Sequence, residues 1–305
     1  MMASRDAEPN EPIVGVNVGG TMTSVVLGTR DGAILGRRAW PTQTRDGEAL
    51  FAAIVAAVRE IAPDASAIGV AIGGPMDALT GTVLSPPHLP GMHGFPLAAR
   101  LREALEREVH VHHDAAACAL AEYLWGAHRG ARGIAYLTCG TGFGAGLVIG
   151  GHARYGSRGY SPELGHIRYR DHGPDVFGKP GSFESFGAAS ALPKIARLEN
   201  PAYDAASGAE VAERAARGDA LAQRAIGENA RAVGAACALL ADLLVLDVIV
   251  LGSLAAYLGE PWIALVRETF VREALPHHAA ACTLCGPSLA DLQDLSGLAA
   301  AVSPL

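Results

Sequence analysis

Two glycine-rich turns carry the clearest chemistry in this sequence. Gly19-Gly20-Thr21 closes the β-branched run Ile13 to Val18 and opens onto a second run, Thr23 to Leu27. Gly140-Thr141-Gly142 stands in the same way between Gly133 to Thr138 and Gly144 to Ile149. A tight turn of this kind exposes backbone N–H groups in a concavity that suits a phosphate. One such turn is usually only a turn. Two fit two related domains, each offering a phosphate-binding loop, with nucleotide held in the cleft between them. Asp114 follows the short strand His110 to His113 and precedes an Ala-rich helix to Trp125, so its carboxylate lies at the carboxyl end of a strand, where α/β proteins bring ligands. By position alone an Asp there is more often a helix N-cap. Cys282-Thr-Leu-Cys285 could be half a zinc site or a redox pair, but no second pair follows, and Ala281 and Leu284 favour buried thiols.

The elements that must position these residues alternate in type. Glu48 to Ile61 carries an apolar stripe at helical spacing, Ile68 to Ile72 reads as a buried strand ended by Gly73-Gly74-Pro75, and Leu97 to Glu108 reads as a second amphipathic helix. The segment His172 to Gly181 reads as an irregular surface loop, and the chain from Ala188 to Leu258 is largely helical apart from a strand at Val248. Ala232 to Leu251 is apolar enough to raise a membrane span, but Asp242 and Asp247 interrupt it, and a buried helix running into a buried strand fits better. No membrane partner is expected. The fold class is α/β, with two domains.

Half of the 305 residues are hydrophobic and 18% are charged, which describes a globular protein. A net charge of −7 leaves no electrostatic footprint for nucleic acid. The first ten residues place charges where a signal peptide needs an apolar core, and the five cysteines show no disulfide framework, so a reducing, cytoplasmic setting is expected.

In order along the chain stand Asn17-Val-Gly-Gly-Thr-Met-Thr23, Gly73-Gly-Pro-Met-Asp77, Ser85-Pro-Pro-His-Leu-Pro-Gly91, His113-Asp-Ala-Ala-Ala117, Thr138-Cys-Gly-Thr-Gly142, Glu163-Leu-Gly-His166 and Gly181-Ser-Phe-Glu184. Together these resemble the ROK family of repressors, open reading frames and sugar kinases, in the actin-like ATPase superfamily. The resemblance implies two actin-like, ribonuclease H-like domains with a cleft between them, assigned to residues 12–114 plus 291–305 and to 115–290. Only about a dozen residues precede the first strand, too few for the helix-turn-helix of the repressor members, so the kinase branch is favoured.

The resemblance implies ATP-dependent phosphorylation of a hexose, amino sugar or sugar-like cyclitol, with Mg²⁺, in a homodimer. It makes Asp114 the general base, and Gly74, His88, His113, Glu163, His166 and Glu184 the sugar contacts. It also implies that Gly19, Gly20, Thr21, Thr23, Gly140, Thr141, Gly142 and Gly252 bind ATP.

Several working positions depart from the family pattern. Asn17 replaces an acid that helps hold Mg²⁺ through its water shell, keeping an oxygen ligand but losing the charge, and Met22 replaces a lysine. His88 and His113 replace asparagines that touch sugar, and a third asparagine is Ala116. The cysteines that bind structural zinc in the family, beside the Glu-x-Gly-His histidine, fall at Asp175, Phe177 and Ser182, a set that cannot form the usual N/S site, so no zinc is expected and packing by Phe177 and Phe183 is expected instead. A catalytically silent sugar-binding or regulatory protein is the alternative reading, and Asp114 is the residue such a protein would not need.

Overall fold

The computed structural model describes residues 10–303. In chain order, strands β1 (Pro12–Val18), β2 (Met22–Thr29) and β3 (Ile34–Pro41) precede helix α1 (Gly47–Ile61), strands β4 (Ala67–Ile72), β5 (Met76–Asp77) and β6 (Thr82–Val83), helix α2 (Leu97–Leu105), strand β7 (Glu108–His113) and helix α3 (Asp114–Trp125). Strands β8 (Gly133–Cys139), β9 (Phe143–Ile149) and β10 (His152–Ala153) follow, then helices α4 (Phe183–Gly187), α5 (Leu192–Glu199), α6 (Gly208–Ala216) and α7 (Ala220–Leu244). The chain finishes with strand β11 (Val248–Leu251), helices α8 (Leu254–Glu273) and α9 (Pro276–Ala281), strand β12 (Thr283–Cys285) and helix α10 (Leu292–Val302).

These elements form two compact units. One runs up to Gly130 and takes in Gly151–Ser161 and the described residues from Ser288 on, and the other comprises Ala131–Gly150 and Pro162–Pro287. The division differs from the expected 12–114 plus 291–305 against 115–290, because α3 and the segment 151–161 group with the first unit. At the last boundary the cause is visible. The fully buried Glu122 of α3 accepts bonds from the main-chain N–H of Ser288 at 2.7 Å and from its hydroxyl, fixing the chain where it re-enters the first unit.

In the first unit β1 pairs antiparallel with β2 and parallel with β4, with β3 beyond β2 and β7 beyond β4. In the second, β8 pairs antiparallel with β9 and parallel with β11, and β12 follows β11 in parallel. Each unit therefore repeats a hairpin closed by a glycine turn and extended on one side by parallel strands, as the two glycine-rich segments imply.

Leu50, Ile54, Val55 and Val58 of α1 pack with Val14, Val16, Ile68 and Val70 in one core. The C-terminal α10 also lies on this sheet, and it lies close: a Cβ on Gly69 would fall 2.1 Å from the main-chain nitrogen of Ala301, and one on Gly15 2.5 Å from that of Leu298. Asp294 of α10 completes the attachment, accepting from the Ser24 hydroxyl at 2.6 Å and from Arg37 Nε at 2.5 Å.

Ala232 to Leu251 forms the end of α7 and all of β11, and among the described residues no helix is long and apolar enough to cross a membrane. Two sequence expectations are corrected. The helix expected to reach Glu108 stops at Leu105, because Glu106 adopts a left-handed C-cap with φ 53° and its N–H bonds back to Arg102. Strand β3 was not foreseen; it lies at the sheet edge, where Arg37 and Arg38 interrupt the apolar pattern.

Candidate active site

Register places the chemistry of the first unit. Val18, Ile72 and His113 are neighbours across the parallel strands β1, β4 and β7, so the residues that follow them leave the sheet at one edge. Those residues are Gly19-Gly20, Gly73-Gly74 and Asp114. Asp114 is the first residue of α3 and not its cap. Its Oδ1 accepts the N–H of Ala115 at 2.6 Å, and its side chain remains 31% exposed, open to a ligand.

Two imidazoles flank this carboxylate. His113 Nε2 is 3.5 Å from Asp114 Oδ1, while its buried Nδ1 has no hydrogen-bond partner among the described residues. The His88 ring packs over two glycines: a Cβ on Gly73 would fall 2.3 Å from His88 Nε2, and one on Gly20 3.2 Å from its Cδ2. Gly74 faces His113 and the Ser161 hydroxyl. Burial pushes the His88 pKa below its ordinary value; the Asp114 charge opposes this and His113 adds to it. His88 is therefore neutral at pH 7, with one donor and one acceptor nitrogen.

Asp114 is held from behind. The main-chain N–H of His113 donates to the Tyr155 hydroxyl at 3.1 Å, satisfying an outward group on the edge strand β7. His112 Nε2 lies 2.9 Å from the carbonyl of Ser303 and Nδ1 lies 2.9 Å from the Tyr155 oxygen. Since a carbonyl only accepts, His112 donates through Nε2, and Nδ1 takes the Tyr155 proton. Burial holds the His112 pKa down to about 4, which keeps this arrangement neutral.

Both glycine turns are fixed by their carbonyls. At the first, Thr42 donates its hydroxyl to Gly19 O at 2.7 Å and its N–H to Thr21 O at 2.9 Å. At the second, Ala189 N donates to Gly140 O at 2.8 Å and the Ser190 hydroxyl to Thr141 O at 2.6 Å. Among the described residues, the N–H groups of Gly20, Thr21, Thr141 and Gly142 have no recorded partner, the arrangement that an anion-binding turn requires. Thr23 is fully buried and shares a 2.9 Å hydrogen bond with the Thr42 hydroxyl, so it braces the first turn from inside. Asn17 is half-buried one residue before the end of β1, opposite Ser24. A magnesium ion could take the Asn17 amide oxygen through a water. Gly252 follows β11, and a Cβ there would fall 2.1 Å from the Tyr136 hydroxyl, so packing also requires a glycine at this position. Ser253 beside it faces Gly140.

In the second unit the acidic set gathers around the start of β9. Glu184, in the first turn of α4, accepts the N–H of Phe143 on Oε1 at 3.1 Å. Burial pushes its pKa up to about 7; the Phe143 N–H opposes this, and the nearby Glu163 charge adds to it. Glu163 precedes and His166 ends a single 3-10 turn, Leu164–His166, and both residues are exposed. Gly165 inside that turn permits contact with β9, since a Cβ there would fall 1.9 Å from the Phe143 carbonyl oxygen.

At the positions of the family's zinc cysteines, Asp175 Oδ1 accepts Gly178 N–H at 2.7 Å and the Ser182 hydroxyl caps α4 by accepting Ser185 N–H at 3.2 Å. Phe177 is 43% exposed, so the expected packing by Phe177 is corrected; Val176 and Phe183 are the buried residues, with Phe183 stacked on Tyr169. Cys282 is buried and Cys285 is half-buried, and burial pushes the Cys282 thiol up to about 12, where it is inert. Sequence reading missed Thr42, Tyr155, Ser161, Ser253 and Phe143. None carries a local signal, because each acts on a residue distant in the chain.

The ROK family model matches residues 13–302. The chain is 34% identical over 193 residues to a glucokinase of Thermotoga maritima, a match covering 62% of this chain and 61% of that protein. A ROK hexokinase structure from Thermus thermophilus superposes with a TM-score of 0.81 at 30% identity, covering 95% of this chain and 97% of that one. A ROK glucokinase from Streptomyces griseus, solved with glucose and AMPPNP, superposes with a TM-score of 0.79 at 28% identity, covering 95% and 98%. The chain has the two-domain actin-like fold of these sugar kinases and belongs to the ROK family.

Proposed function

We propose that this protein is an ATP-dependent kinase of a hexose, amino sugar or sugar-like cyclitol, with Asp114 as general base. The observation that carries the reading is the open Asp114 carboxylate at the same sheet edge as the Gly19-Gly20 turn, flanked by the imidazoles of His88 and His113. The glucokinase and hexokinase relatives, one of them solved with AMPPNP, support both the sugar class and the nucleotide.

In the reaction the Asp114 carboxylate accepts the hydroxyl proton as the sugar oxygen bonds to the γ-phosphorus and the bond to ADP breaks. The outward N–H groups of the two glycine turns take the phosphate oxygens. Glu163, His166 and Glu184 receive sugar hydroxyls, neutral His88 offers one donor and one acceptor, and His113 adds its ring nitrogens beside Asp114. Asn17 would hold Mg²⁺ through a water, and the ion would supply positive charge against the phosphates. Structural zinc has no part, since Asp175 and Ser182 are engaged elsewhere and Phe177 cannot ligate. The homodimer and the cytoplasmic setting belong to the same reading.

An ADP-release screen with ATP and Mg²⁺ against hexoses, amino sugars and cyclitols tests this function. Turnover of one acceptor is expected. Sugar binding by calorimetry without ADP release from any acceptor points instead to the catalytically silent reading, which Asn17 and Met22 favour.

A further inference from the structure

Phe143 begins β9 directly after the turn Gly140-Thr141-Gly142, and it is gripped on three sides by the elements that carry the candidate sugar residues. Its N–H donates to Glu184 Oε1 at 3.1 Å. Its carbonyl oxygen lies against Gly165 of the Glu163-Leu-Gly-His166 segment, so closely that a Cβ there would fall at 1.9 Å. Its ring packs on Gly187, the last residue of the helix that bears Glu184, where a Cβ would come within 2.9 Å of the ring. Glu184 also touches the turn itself, since a Cβ on Gly142 would fall 2.7 Å from its Oε1. All three glycines are therefore points where side-chain volume is excluded to keep the turn and the acidic set in contact.

We infer that Phe143 is a positioning residue through which sugar bound at Glu163, His166 and Glu184 sets the conformation of the 140–142 turn, so that sugar and nucleotide bind cooperatively within the second unit. The inference rests on the proposed function for the identity of the two ligands. Its physical basis is that Glu184 has two claims on its carboxylate. A sugar hydroxyl that donates to Glu184 orders the side chain, and the ordered Oε1 holds the Phe143 N–H and the Gly142 Cα at the end of the turn. A nucleotide then meets a turn that no longer has to be ordered, which raises its affinity without any new contact.

Calorimetry of AMPPNP with Mg²⁺, alone and with saturating glucose or N-acetylmannosamine, tests the inference on the whole protein. A gain in nucleotide affinity of about 5- to 100-fold is expected with sugar present. The Gly187→Ala variant, which pushes on the Phe143 ring and leaves every proposed ligand contact in place, should reduce that gain toward one while sugar affinity alone changes by less than about threefold. In the unmodified protein, sugar without nucleotide should slow hydrogen exchange at residues 140–144. Retention of the full gain in Gly187→Ala, or sugar binding with unchanged exchange at 140–144, overturns the inference and leaves the kinase reading intact. Failure of every sugar to bind overturns both.

Discussion

The main-chain N–H of His113 donates to the Tyr155 hydroxyl at 3.1 Å, which ties the residue preceding Asp114 to a segment forty-two positions later in the chain. The other side of that hydroxyl is engaged by His112, itself bonded to the carbonyl of Ser303. The candidate base therefore stands on a strand end fixed by two distant parts of the sequence. Tyr155→Phe keeps the ring and removes the oxygen, leaving a buried N–H unpaired at a cost of about 1–3 kcal/mol. The variant should show a lower Tm and a fall in kcat larger than any change in KM for ATP. Wild-type kcat together with lowered Tm would make Tyr155 structural only.

Asp114→Asn isolates the proton-accepting role. Because Asp114 is the first helical residue and not the cap, the substitution should alter stability by less than about 1 kcal/mol. Turnover should fall by about two to four orders of magnitude while calorimetry still detects sugar and nucleotide. Near wild-type turnover of any accepted sugar removes Asp114 from the mechanism.

The pair His88 and His113 should govern acceptor choice. Both stand beside Asp114, and each ring offers its donor and acceptor in a geometry different from that of an amide. The double change to Asn is expected to re-rank kcat/KM across a sugar panel. An unchanged ranking with uniformly altered rates would show that the rings only pack.

Glu184 should give sugar binding a pH dependence. Its pKa is raised by burial to about 7, so the carboxylate that receives a hydroxyl is fully formed only above that pH. Sugar affinity should weaken on acidification from pH 8, by about tenfold at pH 6. Glu184→Gln should bind more weakly and lose this dependence. A flat profile in the unmodified protein would place the hydroxyl contact elsewhere.

His112 makes the opposite demand on stability. Its pKa in the folded protein is depressed to about 4 by burial, against 6.5 when unfolded, so the unfolded chain binds the extra proton between these values. The stability linked to His112 is complete above pH 6.5 and is lost as pH falls toward 4, by roughly 3 kcal/mol at most. The raised pKa of Glu184 acts with the reverse sign between pH 4.5 and 7. Urea midpoints of the wild type and His112→Asn over pH 4–7.5 separate the two, because only the His112 contribution should vanish in the variant.

What the sequence determined by itself is what local pattern encodes. The β-branched runs at Ile13 to Val18 and Gly133 to Thr138, each closed by a glycine turn, announce two hairpins because strand propensity and turn chemistry are properties of neighbouring residues. The apolar stripe of α1 and the place of Asp114 between strand and helix were legible for the same reason. Tertiary structure alone decided what those residues meet. Thr42 holds the first turn from the residue just after a strand that sequence reading missed, and Ala189 and Ser190 hold the second from almost fifty residues away. Tyr155 satisfies the edge of β7, Ser288 fastens to Glu122, and Phe143 is grasped by Glu184 and Gly165. Each is a backbone or carboxylate group finding its partner at long range, and hydrogen-bond satisfaction across such distances leaves no periodicity or composition to read. The contact between Glu122 and Ser288 likewise exists only once the chain has folded.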